Sequence, residues 1–118
     1  MRLADTIMKK EGPMNDIHPV LTLLKKQFPK VYKKHEALGK EIHEGAGPLP
    51  EKVRWLLKIA ISGASGHRIA LETHILKGKE AGLTDAEIMH ALLLLIPTTG
   101  FPTFMEALSV MEGAGKGK

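Results

Sequence analysis

Apolar positions along this chain recur every three to four residues, and nowhere in steps of two for long, so the pattern predicts helices and no strand. Ile17, Val20, Leu21, Leu24 and Phe28 share one helical face behind Asp16, whose side chain suits an N-cap, with Pro19 in the first turn. Pro29 has no amide hydrogen to donate to the preceding turn and should end or kink that helix. A second stripe, Val31, His35, Leu38 and Ile42, runs on to His43, and Gly45-Ala46-Gly47-Pro48-Leu49-Pro50 then breaks the pattern. Pro50 opens a helix with Val53, Leu56, Leu57, Ala60, Ile61 and Ala64 on its apolar face, closed by the small residues Ser62, Gly63, Ser65 and Gly66. Ser65 reads as the N-cap of the next helix, which runs from Gly66 or His67 to Ala81, with Gly82 as its left-handed stop. Thr84-Asp85-Ala86-Glu87 has the spacing of a capping box and starts a helix to about Ile96. Pro97 and the Gly100-Phe101-Pro102 turn end it, and a last helix covers about Thr103 to Met111. The expectation is an all-α fold of about six helices: a loose arm over 1–15, a helical domain over 16–112 and a frayed tail over 113–118.

The segment Ile88–Ile96 is apolar almost all round, so a helix there needs cover on every side. A chain of 118 residues offers few such central sites, which points to a symmetric homo-oligomer. The longest apolar run, Ala91 to Ile96, is far too short to span a bilayer, and the first residues carry charges where a signal peptide would be apolar; a cytoplasmic protein is the expectation. The net charge is +4, with Lys25, Lys26, Lys30, Lys33, Lys34 and Lys40 in one segment. With no arginine cluster or interleaved aromatics among them, these lysines read as a solvated face and nucleic acid is not the expected partner, although a basic field attracts small anionic molecules. The chain has no cysteine, which excludes disulfides, thiolate metal sites and thiol redox chemistry.

The histidines carry the remaining chemistry. His67 and His74 are one heptad apart on the same expected helix, so they share a face about 10.5 Å apart along the axis. That is too far for one metal, and the i,i+4 pair of helical metal sites is absent, so no metal is expected. Acid–base work suits them better, because the dipole at a helix N-terminus disfavours a charged imidazole and a neutral ring accepts protons; the competing reading for each is a histidine satisfied by a backbone carbonyl. Arg68 and Glu72 form an i,i+4 pair on the neighbouring face and Phe101 lies in the Thr98–Pro102 loop at a potential pocket mouth, which makes these three the candidate substrate-binding residues. Trp55 reads as packing.

The stretch Gly66–Ile88, together with Leu49-Pro50-Glu51-Lys52, Ala91-Leu92-Leu93 and Gly100-Phe101-Pro102, resembles the carboxymuconolactone decarboxylase superfamily, which includes the alkylhydroperoxidase-D-like proteins. The resemblance covers about Leu49 to Leu108 and implies an all-α unit assembled into trimers, hexamers or other rings. In the hydroperoxidase branch the helix carries Cys-x-x-Cys-x-x-x-His after a glutamate one helix earlier. Here those positions hold His67, Ala70, His74 and Trp55, so only His74 matches and thiol peroxidase chemistry is excluded. In the decarboxylase branch the helix resembles Gly-Arg-x-His-Glu-Leu-x-x-His, of which Gly66, Leu71 and His74 match. The resemblance thus implies a cofactor-independent lyase that decarboxylates or isomerises a small carboxylate or lactone through His74 with help from His67. The alternative is a non-catalytic binding or assembly module on the same scaffold.

Overall fold

The computed structural model describes residues 18–114, and every regular element among them is helical. In chain order these are α1 (Pro19–Gln27), α2 (Pro29–Lys40), a π-helical turn (Glu41–Gly45), α3 (Glu51–Ser65), α4 (Arg68–Glu80), α5 (Asp85–Leu93), α6 (Leu95–Thr99) and α7 (Phe101–Gly113). The all-α expectation holds: six of the described helices have nine residues or more, and α6 is a five-residue addition. The expected arm over 1–15, the Asp16 cap and Ile17, and residues 115–118 of the expected tail lie outside the described residues.

The chain divides between Leu49 and Pro50, inside the glycine- and proline-rich break, into two units. In the first, His18 caps α1 by accepting the Val20 amide at 3.1 Å on its Nδ1, and Pro29 starts α2 directly after the Phe28 junction. α1 and α2 pack together, with the Lys25 ammonium 5.5 Å from the Tyr32 ring centre. Much of the apolar pattern read along these helices stays in solvent: Val20, Phe28, Val31, Leu38 and Ile42 are all more than half exposed.

The second unit is built on α3, which packs against α4, α5, α6 and α7. Ile59, Leu71, Ile75, Leu83, Ile88, Leu92, Leu95, Phe104 and Ala107 form one buried cluster. Two glycines allow the helices to close on it. A Cβ at Gly63 would stand 3.2 Å from Leu95 Cδ1, and one at Gly78 only 2.7 Å from Leu83 Cδ1.

Three boundaries differ from those the pattern predicts. Ser65 does not cap the following helix, because it is the last residue of α3; Gly66 turns left-handed (φ 72°) and His67 becomes the N-cap of α4 without a side-chain cap bond. The helix expected to reach Ile96 ends at Leu93, and Pro97 does not stop a helix but sits inside α6. The cause is local: Pro97 cannot donate to the carbonyl four residues back, Leu93, so the first helix closes there and a new one begins. The Thr98–Pro102 segment is consequently not a free loop. Thr98 and Thr99 donate their hydroxyls to the carbonyls of Leu94 (2.7 Å) and Leu95 (3.1 Å), Gly100 turns at φ 107°, and α7 begins at Phe101 rather than Thr103 and extends to Gly113.

Candidate functional site

The junction between α3 and α4 decides where the histidines stand. Amide nitrogens of Gly66 and His67 donate to the carbonyls of Gly63 (3.3 Å) and Ser62 (3.0 Å), the paired closure that a left-handed glycine permits at a helix end. His67 is therefore spent as the hinge between two helices: its backbone leaves helical geometry (φ −88°, ψ 84°) and its side chain is exposed. The two histidines do not share one helix face as expected, because only His74 lies within α4.

His74 points back at α3. Its Nδ1 lies 2.9 Å from the Ser62 hydroxyl and 3.3 Å from the Lys58 carbonyl. The Trp55 ring packs at 5.9 Å between centroids with a 51° tilt, and the Lys58 ammonium sits 4.6 Å from the centre of that indole. Trp55, Lys58 and Ser62 are spaced at i, i+3 and i+7 and so occupy one stripe of α3 opposite His74. Ser62 is buried and His74 half-buried, so the imidazole is anchored at one nitrogen by groups that cannot move far. Sequence spacing singles out His74 and puts Trp55 in packing, whereas Ser62 reads there only as a small helix-ending residue. The available signal was topological: Ser62 and His74 both lie within about two helical turns of the Gly66 reversal, which folds α4 back along α3.

The other candidates sit elsewhere. Arg68 and Glu72 line one shallow cavity of about 210 Å³ together with Ile69, Ser109, Val110 and Gly113. Arg68 also pairs with Glu106 of α7 in an exposed ion bridge. Phe101 is exposed and stacks on Phe104 with centroids 5.8 Å apart. A larger groove of about 480 Å³ runs on another side of α3, where Leu56, Leu57, Ala60, Ile61 and Ala64 face Ala91, Leu94 and Leu95. Glu87, His90, Thr98 and Thr99 supply its polar margin. Neither of these two spaces is lined by His67, His74 or Phe101.

Glu87 has a structural task. Its carboxylate accepts the Thr84 amide at 2.9 Å while the Thr84 hydroxyl accepts the Glu87 amide at 3.0 Å, the reciprocal capping box that the sequence spacing predicts. That backbone bond, and the Lys52 ammonium 3.6 Å away, hold the Glu87 carboxyl below the usual glutamate range. Among the described residues no three His, Asp or Glu side chains are grouped to hold a metal ion, and no helix is long and apolar enough to cross a membrane.

Comparison with known proteins agrees with the arrangement of helices. The crystal structure of a candidate carboxymuconolactone decarboxylase from Burkholderia xenovorans superposes with a TM-score of 0.68 over 98% of this chain and 99% of that one, at 20% identity. That likeness concerns the fold alone. An uncharacterised protein of Methanocaldococcus jannaschii is 27% identical over 93 residues, which is 78% of this chain and 88% of the relative. The model of the carboxymuconolactone decarboxylase family matches residues 29–113, from the start of α2 to the end of α7. This cysteine-free helical chain belongs to the carboxymuconolactone decarboxylase family.

Proposed function

We propose that the protein is a cofactor-independent lyase or isomerase acting on a small carboxylate or lactone, with His74 as the acid–base group. The observation that carries this reading is the 2.9 Å contact of His74 Nδ1 with a side-chain partner, the Ser62 hydroxyl, which orients the ring beside the Trp55 indole. In a decarboxylation the C–C bonding pair passes into a conjugated carbonyl of the substrate as carbon dioxide leaves, and an imidazolium returns a proton to the carbon. The substrate supplies the electron sink, so the protein's task is to orient it and to move that proton. The positive net charge of the chain favours an anionic substrate.

The test is carbon dioxide release from a panel of lactone acids, comparing the native chain with His74→Ala. Turnover that disappears in the variant while light scattering shows the same assembly supports the reading. Equal turnover in both removes His74 from the chemistry.

A second reading is an assembly or binding module without catalysis. The open groove between α3, α5 and α6 favours it, because Ile61 and Leu94 stand more than half exposed there. Apolar surface of that kind is what a subunit of a homo-oligomer, such as a trimer or hexamer, presents before it is covered. No release of carbon dioxide from any lactone acid, together with a stable oligomer in solution, favours this second reading.

A further inference from the structure

We infer that Ser62 is a positioning residue that seats the His74 ring with Nδ1 towards the Lys58 carbonyl, and that the two together hold the tautomer with its proton on Nδ1, leaving Nε2 as the nitrogen with the basic lone pair. Donor and acceptor types decide the tautomer. Nδ1 faces two oxygens, the Ser62 hydroxyl at 2.9 Å and the Lys58 carbonyl at 3.3 Å. A backbone carbonyl only accepts, so an unprotonated Nδ1 would set a lone pair against it, whereas N–H at Nδ1 satisfies both contacts. The hydroxyl accepts or donates as needed, and of the two partners it is the one that a side-chain substitution can remove.

The same contact has another chemical meaning that the surroundings exclude. A serine hydroxyl within hydrogen-bond reach of an imidazole is also the geometry of a nucleophile and its base. That role needs Nδ1 to take the hydroxyl proton, which conflicts with the Lys58 carbonyl, and it needs an accessible oxygen. Ser62 is only 5% exposed and lies in the last turn of α3, where the Gly66–His67 closure fixes its backbone. Ser62 therefore orients the ring and does not attack a substrate.

The consequence for catalysis rests on the acid–base reading of His74 given above. A fixed Nδ1–H makes Nε2 the atom that takes and returns the proton, in the way that a hydrogen bond at one ring nitrogen sets the role of the other. The state of the ring can be read without any substrate, so the two ideas fail separately.

The experiment is long-range 1H–15N correlation on the full-length 15N-labelled chain, with His74 assigned by its loss in His74→Gln. At a pH where the ring is neutral, the native protein should show a pyrrole-type Nδ1 and a pyridine-type Nε2. Ser62→Ala, which leaves only the longer contact to the Lys58 carbonyl, should move both shifts part of the way towards their tautomer-averaged values, and Ser62→Thr, which keeps the hydroxyl, should restore them. A protonated Nε2 in the native chain, or an Ala variant with unchanged shifts, overturns the inference. So does covalent labelling of Ser62 by diisopropyl fluorophosphate, read by peptide mass spectrometry, because it would make the serine a nucleophile. If a lactone acid is turned over, Ser62→Ala should lower kcat about tenfold or more at unchanged KM, the signature of a misoriented base. If none is turned over, the catalytic reading fails while the nitrogen shifts still decide the role of Ser62.

Discussion

At the scale of single residues, polar groups in this protein are defined by the backbone atoms they answer. Glu87 is the clearest case, because its carboxylate closes the first turn of α5 on the Thr84 amide. Its folded-state proton affinity is depressed, so the unfolded chain binds more protons in that range and stability rises with pH there. The contribution is present above the usual glutamate range and fades as acid protonates the folded carboxylate. Glu87→Gln, which keeps an acceptor for the Thr84 amide but cannot titrate, should flatten the acid limb of a stability-versus-pH curve followed by circular dichroism. A limb as steep as that of the native chain would assign the acid sensitivity to other carboxylates. Gly82, at φ 106°, makes a second prediction: Gly82→Ala should destabilise by about 1 kcal/mol in urea titration, the ordinary cost of a side chain in left-handed backbone.

At the scale of elements, caps and stops explain most of the helix boundaries. α4 ends in a paired closure in which Leu83 donates to Gly78 (2.9 Å) and Gly82 to Lys79 (3.0 Å), and the buried Leu83 then packs over Gly78. Gly78→Ala should destabilise by about 1–2 kcal/mol despite the roughly 1 kcal/mol that alanine gains in helix propensity, since its Cβ would meet the buried Leu83 at 2.7 Å and Ile59 at 3.2 Å. Thr84→Ala should cost about 1 kcal/mol by removing the hydroxyl half of the capping box, again read by urea titration. These signals were legible in the sequence because Gly82, Thr84 and Glu87 act through neighbours two to five residues away. Ser65 and Pro97 misled for the opposite reason. A serine after small residues fits a helix start as well as a helix end, and a proline fits the first turn of a helix as well as a stop. Which one occurs depends on the energy of the adjoining turn, here the left-handed Gly66 and the closure of α5 at Leu93.

At the scale of the whole molecule, the distribution of apolar surface is the main unresolved demand of the chain. Of the run Leu92-Leu93-Leu94-Leu95, Leu92 and Leu95 are buried in the α3 core, while Leu93 is 43% and Leu94 56% exposed. The expectation that this segment is covered on all sides thus holds within the second unit for only part of it, because the break at Leu94 turns one flank outward. Leu94, with Ile61 across the groove, belongs to the surface we propose for self-association. Leu94→Glu should lower the mass seen by light scattering without loss of helical circular dichroism. A variant of unchanged mass would take this face out of the assembly.

The sequence by itself determined the helical class, the break before Pro50, the capping box, the glycine stop after α4 and the place of His74 within a helix. Periodicity, proline geometry and caps are written in residues a few positions apart, so a linear reading reaches them. Only the tertiary structure decided that His67 is a hinge outside the helix, that Arg68 and Glu72 line a space apart from His74, and that Ser62 and the Lys58 carbonyl hold the imidazole. Those facts depend on how α4 folds back along α3, a long-range packing choice that local spacing does not encode. The anchor of His74 comes from residues twelve and sixteen positions earlier, brought close by the Gly66 reversal.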